Sequence, residues 1–257
     1  MRRSTRLWRA ARLGRHLTRV YASARLRSLR LGPCARRELA AAFAREMLDV
    51  LEVRSQVRGQ PLASTDPVLI VANHVSWLDM YALSAVAGAR FVAKSEVRGW
   101  PFFGTIALRF DTLFIVRGSY RDAARMRTEV ARALGEGARV VVFPEGTTTD
   151  GTTLGRFHPA LFQSAIDARA PVQPVAIRYR DGRGDPSPAP VFVGDTTVLA
   201  SVARVIREPA LSVELTFGPA LSPLGVTRKV LAERSRRWIG EQLGVGEGAV
   251  TRRRFAA

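Results

Sequence analysis

The chain has 257 residues, 47% of them hydrophobic, and a formal net charge of +18. That length suits one large domain, or one domain with a small appendage, and the composition excludes a disordered chain. The charge, carried almost wholly by arginine, calls for an anionic partner such as nucleic acid, a membrane surface or a phosphorylated substrate, while the single Cys34 excludes an intramolecular disulfide and any metal site built from cysteines.

Residues 2–37 carry arginine repeatedly and no acid precedes Glu38. Leu13, Leu17, Val20, Tyr21 and Ala24 fall at helical spacing, with Arg12, Arg15, His16 and Arg19 on the other side. The pattern predicts a basic amphipathic helix suited to a lipid headgroup region, its arginine stems snorkelling. A solvated or nucleic-acid-binding arm is the alternative that the segment leaves open. Gly32 and Pro33 break the helix, and a second one is predicted over about 36–51. Residues 1–55 are thus expected to form a helical membrane-docking segment. No apolar run approaches the ~20 residues of a spanning helix, and arginines interrupt every candidate signal-peptide core.

From residue 68 onward strand-like and helix-like runs alternate. Strands are predicted near 68–72, 90–93, 112–116, 139–143, 172–178, 190–194 and 212–217. Helices are predicted near 77–87, 101–109, 119–135, 158–168, 197–206 and 225–243. Such alternation implies an α/β domain, placed at 56–245, with a mixed, largely parallel sheet flanked by helices. Residues 181–190 read as a surface loop from their Gly, Pro and Asp content, and 246–257 as a basic tail. In this architecture the loops leaving strand C-terminal ends carry the site.

Two motifs sit at such ends. Asn73-His74-Val75-Ser76-Trp77-Leu78-Asp79 follows the run 68–72. Positions five apart do not share a helix face. His74 and Asp79 therefore meet only if His74 lies on the turn before a helix and Asp79 in its first turns, with Ser76 a candidate N-cap. An imidazole held by a carboxylate can take a proton from a hydroxyl. The second motif, Pro144-Glu145-Gly146-Thr147, ends the run 139–143 in a tight turn, because Pro144 cannot donate to a ladder and Gly146 tolerates positive φ. Taken alone, that turn could equally be ordinary acidic surface. Lys94 and Arg117 close two further strand-like runs and could each hold a phosphate or simply be solvated.

Taken together, these segments resemble the glycerolipid acyltransferases typified by 1-acylglycerol-3-phosphate (lysophosphatidate) acyltransferase. NHVSWLD (73–79), FIVRG (114–118), FPEGT (143–147) and VQPVAI (172–177) look like that family's four ordered blocks, and the likeness spans about 66–218. The resemblance implies an αβ sandwich preceded by a membrane-docking helical pair. It implies His74 as general base, Asp79 as its orienting partner, and Arg117, Glu145, Gly146 and Thr147 at the acceptor site, with Lys94 a further phosphate contact. The acceptor would be a lysophospholipid, foremost 1-acyl-sn-glycerol-3-phosphate, in phospholipid biosynthesis. The donor would be acyl-CoA or acyl carrier protein, with no metal, no further cofactor and no nucleic acid expected. The place of work would be the cytoplasmic face of a bacterial inner membrane, bound peripherally. Two positions depart from the pattern. Thr148 stands where many members carry a phosphate-binding arginine, and Gln173 precedes Pro174 in the fourth block. The first departure leaves open a related branch that acylates lyso-ornithine lipid.

Overall fold

The computed structural model describes residues 3–63, 66–100, 103–116 and 120–245. Among these, eight α-helices surround one seven-stranded sheet. The strands are β1 (Arg54–Arg58), β2 (Val68–Ala72), β3 (Arg90–Lys94), β4 (Leu113–Ile115), β5 (Arg139–Val142), β6 (Val172–Arg180) and β7 (Ser212–Phe217). The helices are α1 (Arg3–Leu26), α2 (Pro33–Val50), α3 (Leu78–Ala87), α4 (Phe103–Arg109), α5 (Tyr120–Gly135), α6 (Phe162–Asp167), α7 (Val198–Arg207) and α8 (Arg228–Leu243). The sheet order is β1-β7-β6-β2-β5-β3-β4. The five strands from β6 to β4 run parallel, whereas β7 is antiparallel to β6 and carries β1 parallel to itself. The expected mixed, largely parallel α/β sheet is what the chain forms.

Every residue of β2 and β5 is buried, as strands covered by helices on both faces must be. Val68, Ile70 and Ala72 face a core shared with α2, α3 and α7. Leu69 and Val71 face the opposite core, shared with α5, α6 and α8. Each fully buried Leu or Ile in these layers contributes about 1.5–3 kcal/mol. Both α7 and α8 start on a threonine cap, Thr197 accepting from the Ala200 N–H and Thr227 from the Val230 N–H.

Three expectations need correction. Residues 190–194 form no strand: Pro190 lacks the donor a ladder needs, and Phe192 N–H bonds instead to the Val75 carbonyl, 3.0 Å. The strand β1 was not anticipated. Its sequence RSQVR is exposed throughout and survives as an edge paired only to β7. It straddles the expected boundary at residue 55, and the core runs on across that point: Met47, Leu48, Leu51 and Val53 pack with β2, β6 and β7. The expected tail, 246–257, lies outside the described residues.

The third correction concerns α1. Its buried stripe is Arg9, Leu13, His16, Val20, Ser23 and Ala24, so His16 lies with Leu13 and Val20 rather than with Arg12, Arg15 and Arg19. That stripe docks on the protein body and is closed to lipid. Arg9 knits the contact: its guanidinium donates to the carbonyls of Ile206 (2.7 Å) and Glu208 (3.3 Å) at the end of α7, and to that of Leu51 at the end of α2. Helix C-termini offer such orphan carbonyls. Leu7, Trp8, Leu26 and Leu29 remain exposed. No helix among the described residues is long and apolar enough to cross a membrane.

Candidate active site

The adjacent parallel strands β2 and β5, in register at Val71 and Val142, deliver their C-terminal loops side by side. The first loop is steered by Asn73, whose carboxamide behaves as one more peptide in the ladder to β6. It donates to the Ile177 carbonyl (3.0 Å) and accepts the Ile177 N–H (2.8 Å). The chain then turns through His74 into α3. Asp79, in the first turn of α3, folds back over that turn. Its Oδ2 accepts from His74 Nδ1 (2.8 Å), Val75 N–H (2.8 Å) and Ser76 N–H (3.0 Å). Ser76 is not the N-cap; Trp77 holds that position without a side-chain cap, and Ser76 Oγ accepts from Leu78 N–H at 3.3 Å. The acid inside the helix has taken over the turn that the serine was expected to organise.

This geometry fixes the imidazole chemically. A carboxylate crowded by donors is acceptor-only, so Nδ1 carries the hydrogen and Nε2 keeps a bare lone pair. The ring plane is set by stacking on Phe143, centroids 3.9 Å apart at 12°. The His74 side chain is 21% exposed, whereas that of Asp79 is fully buried. A base that reaches solvent on a fully enclosed support suits proton abstraction from an arriving hydroxyl.

Glu145 is placed otherwise than an acceptor ligand would be. It is 6% exposed, and its carboxylate turns inward, Oε1 accepting His74 N–H (3.0 Å) and Oε2 accepting Gly155 N–H (2.7 Å). Burial raises its pKa, while the two amide donors and the nearby His74 oppose the rise. Glu145 thus fastens the His74 loop to the 144–158 loop. A Cβ at Gly155 would sit 2.9 Å from Glu145 Oε2, so the glycine is required by that approach. Arg236 of α8 braces the same strap through the carbonyls of Gly155 (2.9 Å) and Leu154 (3.0 Å). Gly146 adopts φ 72°, the turn its sequence predicted. Thr147 beside it is exposed. Thr149 N–H reaches the His74 carbonyl at 2.8 Å, and the Thr148 hydroxyl donates to the Phe192 carbonyl.

His74, Asp79, Glu145, Gly146 and Thr147 are therefore brought to one stretch of sheet edge. Lys94 is exposed at the C-terminal end of β3, two strands from β2 along that edge. Arg117 lies outside the described residues. Gln173 is explained by structure: its amide is buried and used by Leu62 N–H (3.1 Å) and by the carbonyls of Gln60 (2.9 Å) and Gly218 (3.0 Å). Phe143 belongs to the third block, whereas Gly155 and Tyr179 belong to no motif of the sequence; the Tyr179 hydroxyl donates to Asp79 Oδ1 at 2.6 Å. The alternation Val175, Ile177, Tyr179 toward one core was the signal for the last. A cavity of about 800 Å³ elsewhere, between the ends of α2 and α3 and β1, includes none of these residues. Among the described residues no group of three or more His, Cys, Asp and Glu is placed to hold a metal.

Residues 54–178 match the family model described as Acyltransferase. Over 202 residues the chain is 40% identical to a lyso-ornithine lipid O-acyltransferase of Pseudomonas aeruginosa, covering 79% of this chain and 77% of that one. Over 185 residues it is 36% identical to a 1-acyl-sn-glycerol-3-phosphate acyltransferase of Neisseria gonorrhoeae, 72% of each chain. The crystal structure of the 1-acyl-sn-glycerophosphate acyltransferase of Thermotoga maritima shares the fold, with a TM-score of 0.68 at 22% identity over 95% of this chain and 97% of that one. The chain belongs to the acyltransferase family and is an acyl-transferring enzyme.

Proposed function

We propose that the enzyme moves a fatty acyl group from a thioester, acyl-CoA or acyl carrier protein, onto the free hydroxyl of a lysolipid in membrane lipid synthesis. The observation that carries the mechanism is the 2.8 Å contact between His74 Nδ1 and buried Asp79. His74 Nε2 takes the hydroxyl proton as the oxygen attacks the thioester carbonyl. The tetrahedral intermediate collapses, the C–S bond breaks, and the imidazolium returns its proton to the departing thiolate. Asp79 stabilises the imidazolium between those steps. Glu145 positions His74 through its backbone rather than touching the acceptor.

Lyso-ornithine lipid is the acceptor we favour. Thr148 replaces the arginine of the family's third block, and its hydroxyl is committed to Phe192, leaving no phosphate ligand at that position. The Pseudomonas relative named for that substrate supports the same reading. Lysophosphatidate is the second reading, favoured by the exposed Lys94 on the same edge and by the Neisseria relative. The enzyme works peripherally, at the cytoplasmic face of a bacterial inner membrane. Exposed Leu7, Trp8, Leu26 and Leu29 on and just beyond α1, Phe103 and Leu108 on α4 and Leu199 on α7 supply apolar contact, while the arginines draw the protein to anionic lipid.

The test pairs the purified protein with each lysolipid in anionic vesicles and with each donor. Turnover of lyso-ornithine lipid that is lost in His74→Ala supports the proposal. Turnover that survives in His74→Ala refutes the mechanism, and exclusive use of lysophosphatidate transfers the acceptor assignment.

A further inference from the structure

The two oxygens of Asp79 are used unequally. Oδ2 takes His74 and two backbone amides; Oδ1 points the other way and takes the Tyr179 hydroxyl at 2.6 Å. Tyr179 is 4% exposed and lies one hundred residues beyond Asp79 in the chain. Its position is set by rigid structure. β6 pairs with β2 only as far as Ala72 and Val175, then overshoots it while still paired to β7 through Arg180. Val175, Ile177 and Tyr179 alternate toward the core that α3 covers, so the last of them reaches the first turn of α3. Burial and the neighbouring Asp79 charge keep the phenol protonated, and it is therefore the donor.

We propose that Tyr179 is a positioning residue for the transfer reaction: its hydroxyl holds Asp79 Oδ1, so that Oδ2 meets His74 in one orientation and with a moderated negative charge. The inference rests on His74 acting as the base. Phenol, carboxylate and imidazole form a series in which each hydrogen bond polarises the next. A weaker donor at position 179 leaves more charge on Oδ2, steadies the imidazolium and moves the acid limb of the activity profile to higher pH. A stronger donor moves it to lower pH. A residue that only fills space cannot produce shifts of opposite sign.

Other ionisable groups around the pair are common to all variants and do not distinguish them. Glu145 faces His74 from the β5 loop. Tyr81 lies on α3, its pKa pushed up to about 12 by burial. On β7, Glu214 alternates with Val213 and Leu215 of the Tyr179 core and so faces away, paired with Arg180 of β6 (2.9 Å) and with Arg58 of β1 (3.4 Å). Arg204 of α7 is turned to the Val191 carbonyl.

The experiment compares wild type, Tyr179→Phe and protein carrying 3,5-difluorotyrosine at position 179, a more acidic phenol of nearly the same shape. Each full-length protein is assayed from acid to neutral pH with lyso-ornithine lipid and with lysophosphatidate in anionic vesicles, with palmitoyl-CoA as donor. Tyr179→Phe is expected to lower kcat about 10- to 100-fold, to leave the acceptor KM essentially unchanged and to shift the acid limb upward. The fluorinated protein is expected to shift it downward. Coincident limbs, or limbs that move the same way, overturn the proposal even if kcat falls. Should Tyr179→Phe fail to fold, the direction of the fluorinated protein's shift decides alone. His74→Ala run in parallel separates the two levels. Activity surviving there removes the base and this inference with it, whereas activity lost there with coincident limbs removes Tyr179 only.

Discussion

Two histidines in this chain face a carboxylate, and they are built in opposite senses. At the sheet edge the acid is buried and the imidazole is open: the side chain of Asp79 is 0% exposed and that of His74 is 21%. Between α1 and α2 the imidazole is buried and the acid is open. The His16 side chain is 1% exposed, and Glu46, 3.2 Å from its Nδ1, is 34% exposed. A buried carboxylate wrapped in donors holds a ring that opens to solvent. A buried ring beside a solvated acid loses the contest with desolvation, and His16 stays neutral down to about pH 4, with the charge of Arg19 adding to the effect. Glu46 is also held by Arg19, which reduces what it can offer His16. The same two residue types therefore give two opposite arrangements, set by which partner is enclosed.

The strongest way to break this contrast is Asp79→Asn. The amide retains the shape but offers a donor as well as an acceptor, so Nδ1 no longer selects the tautomer with a free Nε2. By analogy with the Ser-His-Asp triad, kcat should fall about 10³- to 10⁴-fold while the protein stays folded. A loss under about tenfold, measured at saturating acceptor, would mean that Asp79 holds the loop without steering the ring. The next effect concerns the second enclosed acid. In Gly155→Ala the new methyl presses on Glu145 Oε2 and Cγ, 2.9 and 3.6 Å away. Relieving it shifts the carboxylate whose other oxygen holds the backbone of His74, at a cost of about 1–3 kcal/mol in stability. Urea midpoints and kcat should fall together; unchanged kcat with a lowered midpoint would separate the strap from the chemistry.

Much of this was legible in the sequence because burial is written as apolar runs. The fully buried strands β2 and β5 were anticipated as 68–72 and 139–143, and the spacing of His74 and Asp79 required the turn-then-helix geometry found. What failed did so for physical reasons. A polar edge strand such as β1 gains its order from one neighbour's ladder, leaving no hydrophobic pattern to read. The run 190–194 is apolar because it lies across the site loops, with its hydrogen bonds spread over Val75 and Thr148. By residue type His16 belongs with the wet face, yet its i, i+4 relation to Val20 puts it on the inner stripe. A turn sequence such as that of Glu145 does not say on which side its carboxylate falls; Gly155, ten residues on, is what admits it inward. Tyr179 meets Asp79 only through the register of β6 against its neighbours.

Acid should expose the other half of the contrast. The folded-state pKa of His16 is lowered from 6.5 to about 4, so between those values the unfolded chain binds the extra proton and stability rises with pH. As the pH falls through this window the α1–α2 contact should lose up to about 3 kcal/mol, less whatever Glu46 returns to a protonated ring. His16→Leu should flatten the dependence of the urea midpoint between pH 7 and 4.5. An equally steep dependence in that variant would place the sensitivity elsewhere.

The smallest expected effect is the sharpest discriminator. Glu46→Gln removes an acid that lies within reach of His16 and is paired with Arg19, itself 57% exposed. If His16 is neutral, the substitution removes only a half-solvated ion pair, costing less than about 1 kcal/mol at pH 7. Acyl transfer should be unchanged, since Glu46 lies on α2, away from the loops that carry His74 and Glu145. As the pH approaches 4 the variant should fall away faster than wild type, because a proton arriving on His16 then meets Arg19 with no carboxylate to offset it. A loss above about 2 kcal/mol at neutral pH, of the size that follows when a buried charge is left unpaired, would show that His16 is already charged. The pair would then work like His74 and Asp79 after all.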